Sequence, residues 1–359
     1  MTLLSSRRAK RVATALAGIA LAALALAGCA SGSGSSPSAS SDGAAAGLGD
    51  LNVQLSWIKN EEFSGEFFAD SEGYYTAAGL GTVTLVPGPS TGAAELISGS
   101  ADIALSDAVS IGSVVSSEGA PLKIIGTTYQ KNPFTVLSLK SGGNIATPAD
   151  LKGKKIGVQD SNTALFKALL AANGIAESDV TIVPVQYDPA PLLNGEVDGF
   201  IAYLTNEAIT VAASGVATTN LPFADNGLPF VAETITTTDD MIANKRDALK
   251  AFLLAEIKGW TDAVKDPEAG AKLAVDVYGK DLDLNLENSI AGAKVQAEEL
   301  VTSDETKKNG LFTISDELQS ETVKSLAGAG IMLSASDLFD LSLLAEVYQE
   351  NPDLVAYAG

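Results

Sequence analysis

The stretch "LNGEVDGFIAYLTNE", Leu193 to Glu207, has an earlier counterpart in "LISGSADIALSDAVS", Leu96 to Ser110. With Gly99 set over Gly195 and Asp102 over Asp198, both follow an apolar pair, Leu96-Ile97 and Leu192-Leu193, with one small polar residue, Gly, two more residues, Asp and an apolar run. A glycine directly after a helical segment is the usual left-handed stop, and an apolar run after it reads as a buried strand. Each copy is therefore the end of a helix, a glycine turn and the next strand of a parallel sheet.

The surrounding chain supports two such units. From Asn52 the order is "NVQLSW" as strand, "SGEFFADSEGYYTAAG" as helix, "TVTLVP" as strand, a helix from Ala93 to Ser98, and "ADIALS" as strand. A second series follows, with "KKIGVQ", a helix from Asn162 to Asn173, "VTIVPV", a short helix near Pro191 to Asn194, and "VDGFIAYL". Repeated βαβ order predicts an α/β fold of two lobes, each a mainly parallel sheet flanked by helices. "TYQKNPFTVLSLK" leads from the first lobe to the second and "FVAETITTTDDM" leads back. Lobe 1 is expected over 51–134 and 236–359, lobe 2 over 135–235, and two crossings make a cleft that can open and shut.

The chain has 359 residues, 46% of them hydrophobic and 19% charged, too apolar for a disordered protein. Arg7, Arg8, Lys10 and Arg11 precede an apolar run from Val12 to Ala27 that closes on Leu26-Ala27-Gly28-Cys29. A basic n-region, a short apolar segment and small residues at its end read as a secretory signal over 1–28. The closing tetrapeptide resembles a bacterial lipobox, which implies lipid on Cys29, the only cysteine in the chain, and a protein anchored on the outer side of the cell membrane. A Ser/Gly/Ala-rich tract over 29–50 reads as a flexible tether. Without residues 1–28 the chain has 19 basic and 44 acidic residues, a charge of −25. Such a surface repels nucleic acid and anionic lipid.

There is no histidine, which removes the commonest general base and metal ligand. No G-x-S-x-G, Walker or H-E-x-x-H pattern is present. No catalytic residue, metal ligand or cofactor is assigned; Asp107 with Glu207 is the one acid–base pair an enzyme reading can nominate. Ligands of open parallel sheets sit beyond the carboxyl ends of the strands. The candidate binding residues are accordingly Trp57, Phe63 and Ser64 after the first strand, Ser106 and Asp107, Tyr129 and Gln130, Asn162 and Thr163, Tyr187, and Tyr203, Asn206 and Glu207. Asp107 can equally cap the next helix, and Trp57 can equally close the core. Asp102 and Asp198 begin their strands at the end away from the cleft and are assigned to turn capping or backbone bonds.

Several stretches together resemble the substrate-binding proteins of ABC importers: Trp57, Gly65, Ala69, Gly73, Tyr74, Gly79 and Leu80 at the first helix, "LISGSADIALSD", "NIATPADLKGKKIGV" and "GWTDAVKDPEAGAKLAV". The similar branch handles thiamine pyrimidine precursors, riboflavin, aliphatic sulfonates and nitrate. The resemblance covers nearly all of 52–350 and implies a type II periplasmic-binding-protein fold and a monomer that delivers a small solute to a permease and its ATPase. Ile58-Lys59 stands where many relatives have Pro, and the cysteine-rich motif of fungal pyrimidine-synthesising relatives is absent. Arg246 is the only arginine after residue 28, so the bidentate clamp common at sulfonate and phosphate sites is lacking. Glu61, Asp107, Asp188 and Glu207, with Trp57, Tyr129, Tyr187 and Tyr203, instead suit a planar, amine-bearing heterocycle, pyrimidine- or flavin-like. A small anion such as an alkyl sulfonate or nitrate, an extracytoplasmic enzyme, and a sensory lipoprotein are the alternatives.

Overall fold

The computed structural model describes residues 47–357. The expected signal segment, Cys29 and most of the expected tether lie outside the described residues. The tether's last residues are already docked, because Leu48 packs on the core and its N–H donates to the Gly79 carbonyl at 2.9 Å. Among the described residues no helix is long and apolar enough to cross a membrane.

Ten strands form two five-stranded sheets. The first holds β1 (Leu51–Gln54), β2 (Val83–Val86), β3 (Ile103–Asp107), β4 (Leu122–Tyr129) and β10 (Ala232–Thr238), in the order β2-β1-β3-β10-β4. The second holds β5 (Phe134–Leu139), β6 (Lys155–Val158), β7 (Thr181–Pro184), β8 (Gly199–Tyr203) and β9 (Thr218–Pro222), in the order β7-β6-β8-β5-β9. β1, β2 and β3 are parallel, as are β6, β7 and β8. Each sheet also contains one antiparallel strand: β10 lies between β3 and β4, and β5 between β8 and β9. The sheets are thus mixed. β5 and β10 are the strands that follow the two crossings, and a strand arriving from the other sheet is not bound to the parallel direction that a helical crossover imposes.

The twin phrases fold alike in detail. Gly99 and Gly195 both sit at φ 73°. The Asp102 carboxylate accepts from the Asn52 N–H at 2.8 Å, and the Asp198 carboxylate accepts from the Lys155 N–H at 2.9 Å. Each aspartate thereby fastens the start of its strand to the start of the neighbouring parallel strand.

The first helical run differs from its expected form. It is two helices, Ser64–Ser71 and Tyr74–Ala77, separated at Gly73, whose φ of 70° no continuous helix accepts. Ser64–Ser71 packs on the long helix Arg246–Lys265 at an unusually close crossing. A Cβ on Gly259 would lie 2.1 Å from the Gly65 carbonyl oxygen, and one on Gly65 would lie 2.2 Å from the Trp260 ring. Two of the quoted motifs are therefore the two sides of one helix–helix contact. It holds the helix that follows β1 against the body of the first lobe, and so sets where the β1 end points.

Candidate functional site

The carboxyl ends of the parallel strands converge on a cavity of about 470 Å³, counted with the space that opens to solvent. Ser56 and Trp57 enter after β1, Ser90 and Thr91 after β2, and Ser106 and Asp107 at the end of β3. From the second sheet come Ser161 and Asn162 after β6, and Ile201, Ala202 and Tyr203 at the end of β8, followed by Asn206 and Glu207. Phe134 of β5, Glu233 of β10 and Glu62 complete the lining.

Of the residues selected from the sequence, Trp57, Ser106, Asp107, Asn162, Tyr203, Asn206 and Glu207 lie here. The other six do not line the cavity. Phe63 points into the core and packs edge-on to Phe67, and the Ser64 hydroxyl donates to the Glu61 carbonyl at 2.6 Å as the helix starts. Tyr129 is fully buried with its hydroxyl donating to Gln296 at 2.5 Å, because the C-terminal segment covers the end of β4. Gln130 is spent on that same segment, donating to the Thr313 carbonyl and accepting from Ser303. Thr163 is the first residue of the helix Thr163–Ala172, one position beyond the lining residue Asn162. Tyr187 is 39% exposed in the loop after β7.

Asp107 combines a place in the cavity wall with the expected cap. It lines the cavity while its carboxylate caps the helix Ala108–Glu118, accepting from the Val109 and Ser110 N–H groups and the Ser110 hydroxyl at 2.6 to 2.9 Å. Burial raises its pKa against these bonds. A carboxylate so committed has little capacity left to act as a base. Glu207 opens the helix Glu207–Ala213 and accepts from the Tyr203 N–H at 2.9 Å, and burial pushes its pKa up to about 7.

Sequence reasoning missed Glu62 and Glu233, the pair at the centre of the site. The Ser56 hydroxyl lies 3.1 Å from Glu62 Oε1 and 2.9 Å from Glu233 Oε2, and the Tyr203 hydroxyl donates to Glu233 Oε1 at 2.8 Å. Burial, then the charge of the other carboxylate, drives the Glu62 pKa well above the usual carboxylate range. Burial also moves that of Glu233 up to about 7, opposed by the hydrogen bonds it accepts from Tyr203 and Ser56. Burial thus biases both carboxyls towards the protonated form. Phe134 stands edge-on to Tyr203 with ring centres 4.5 Å apart, so the cavity also has an aromatic wall. None of its lining residues is Lys or Arg. Arg246 is engaged elsewhere, paired with Glu346 beside the Ser342–Glu350 helix.

Comparison with known proteins places the same architecture in a recognised group. A riboflavin-binding protein of Chloroflexus aurantiacus is 24% identical over 81% of this chain and 84% of its own length. A 4-amino-5-hydroxymethyl-2-methylpyrimidine phosphate synthase of Schizosaccharomyces pombe is 28% identical over 56% of this chain and 62% of its own. The solved periplasmic nitrate-binding protein NrtA of Synechocystis PCC 6803 superimposes with a TM-score of 0.61 at 16% identity, over 85% of this chain and 90% of that one. The last shows the fold, that of the periplasmic binding proteins. Residues 60–270 match the NMT1/THI5-like family, and the chain belongs to it.

Proposed function

We propose that this protein is the solute-binding component of an ABC importer, anchored outside the cell membrane by lipid on Cys29, and that it captures a small planar nitrogen heterocycle, pyrimidine- or flavin-like, between its lobes. The observation that carries this reading is the composition of the cavity: Trp57, Phe134 and Tyr203 supply aromatic surface, the polar groups are carboxyls, hydroxyls and an amide, and no basic side chain lines it. A sulfonate or nitrate would meet carboxylates without a compensating cation. Two relatives support the heterocycle by name, one riboflavin-binding and one acting in pyrimidine phosphate synthesis. Binding without chemistry is favoured over synthesis, because the chain has no histidine, its lone cysteine is the lipidation candidate, and Asp107 is occupied in capping.

The test is calorimetric titration of the mature protein with riboflavin, 4-amino-5-hydroxymethyl-2-methylpyrimidine, an alkanesulfonate and nitrate, together with mass spectrometry of any co-purified solute. A heterocycle is expected to bind and the anions to fail. Tight binding of sulfonate or nitrate alone would overturn the reading. Membrane attachment is tested separately by metabolic fatty-acid labelling, in which Cys29→Ser should carry no label.

A further inference from the structure

The first lobe's side of the cavity has too few hydrogen-bond donors for its acceptors. Four carboxylate oxygens of Glu62 and Glu233 face two hydroxyls, those of Ser56 and Tyr203, and the single Ser56 proton lies within reach of both carboxyls. Glu62 is 4% exposed, yet its Oε2 has no partner among the described residues. Ser106, 3% exposed on the same cavity wall, also has an unpartnered hydroxyl. Buried polar atoms are nearly always paired, so such orphans mark a place where something else completes the bonding.

The backbone tells the same story. Glu233 has φ 46°, the left-handed region, at a bulge in β10 where the register against β3 shifts between Ala232 and Thr234. A non-glycine residue there costs about 1 kcal/mol or more, and such strain collects at ligand sites. The bulge turns the Glu233 carboxyl to the side of β10 that lines the cavity, where regular alternation would not guarantee it. The titratable groups facing the pair are the carboxyls of Glu66, Asp107 and Glu207 and the phenols of Tyr129 and Tyr203, all of them acids. Among the described residues no group of three or more His, Cys, Asp or Glu side chains is placed to hold a metal ion.

We propose that Glu62 and Glu233 form a cation subsite, and that the solute captured here carries a protonated nitrogen, amidinium- or ammonium-like, on its planar ring system. This rests on the reading of the cavity as a solute site and narrows it, favouring a cationic aminoheterocycle over neutral riboflavin. In the empty protein burial favours a proton on the pair, and the solute's N–H groups take its place. Binding releases that proton, and the cation's N–H groups then donate charge-assisted hydrogen bonds to Glu62 and Glu233, the latter oriented by the Tyr203 hydroxyl of β8.

The test uses three planar probes of one shape and different charge: benzamidine, benzamide and benzoate. Calorimetry on the mature protein should show benzamidine binding about tenfold or more tighter than benzamide, and benzoate not at all. Its affinity should rise from pH 6 to pH 8, and titrations in buffers of different ionisation enthalpy should show proton release. Glu62→Gln and Glu233→Gln, checked for an intact melt, should bring benzamidine and benzamide together. Equal binding of the two by the wild type, a preference that survives in both variants, or binding of none of the probes would overturn the subsite. The wild-type ranking and its pH dependence decide the matter even if neither variant folds. Riboflavin bound equally by wild type and variants would leave the heterocycle reading standing and remove the subsite, whereas no binding of any heterocycle or probe would remove both.

Discussion

The Tyr203 hydroxyl, at the end of β8 in the second sheet, donates to the Glu233 carboxylate of β10 in the first at 2.8 Å. This bond joins the two sheets across the cavity, next to the strand that returns the chain from one to the other. Its loss should favour the open arrangement. Tyr203→Phe keeps the ring against Phe134 and removes only the donor, and a bond to a charged acceptor is worth about 1.5–3 kcal/mol. The expected outcome is a larger radius of gyration in solution scattering without ligand, with an unchanged core. An unaltered scattering profile would show that the bond does not hold the lobes.

The buried carboxyls set a pH dependence with a definite sign. Burial raises Glu61, Glu207 and Glu233 from 4.5 to about 7 and Glu66 to about 8. Between those values the folded chain holds protons that the unfolded chain has released, so stability falls as pH rises. Their contribution is fully present below 4.5 and is lost as pH rises through about 7 and 8. The ligand-free protein should melt several degrees higher at pH 5 than at pH 8, by calorimetry. Glu66→Gln, which keeps a partner for the Trp260 N–H now shared with Glu66, should flatten the upper part of that slope.

Gly65 and Gly259 are expected to be intolerant of alanine. The added carbons would lie 2.2 Å from Trp260 and 2.1 Å from the Gly65 oxygen, and neither obstacle is a flexible side-chain end. Overpacking of this kind costs about 1–3 kcal/mol or more. Chemical denaturation of Gly259→Ala should show a lower midpoint with an unchanged slope.

Asp102 and Asp198 should behave as twins. Each bonds one backbone N–H of the adjacent strand, at the end of the sheet away from the cavity. Asp102→Ala and Asp198→Ala should each destabilise by about 1 kcal/mol and leave solute affinity unchanged. A loss of affinity in either would contradict this structural role.

The helix–glycine–strand phrase was legible because its parts are local: a stop, a turn and an apolar run. The rule that ligands meet strand ends then found Trp57, Ser106, Asp107, Tyr203 and Glu207. It failed at Tyr129 because β4 is an edge strand whose end is covered by Gln296, far along the chain. Glu62 was hidden in a single 3-10 turn, Glu61–Phe63, which has too few residues to show a periodicity. Glu233 was hidden because "FVAETITTT" reads as any strand, and nothing in it announces a left-handed residue or an antiparallel direction. Both acids depend on contacts between distant segments.

Trp57 decides whether the aromatic wall binds. It lines the cavity, yet it is only 9% exposed and belongs to the same packed cluster as Leu55 and Phe63. Core truncations of Trp cost about 3–5 kcal/mol, so Trp57→Ala alone would lower both melting temperature and affinity and separate nothing. Trp57→Phe and Trp57→Leu divide the two roles. Leucine retains apolar bulk for the core and gives up the flat face, while phenylalanine keeps a face for stacking, worth about 0.5–1.5 kcal/mol beyond buried area. With a planar aminoheterocycle as titrant, the phenylalanine variant should bind within about threefold of wild type and the leucine variant about tenfold more weakly. Their ligand-free melting temperatures should lie close together. If affinity instead follows melting temperature through all three variants, Trp57 serves the core, and Phe134 with Tyr203 must supply the ring contact.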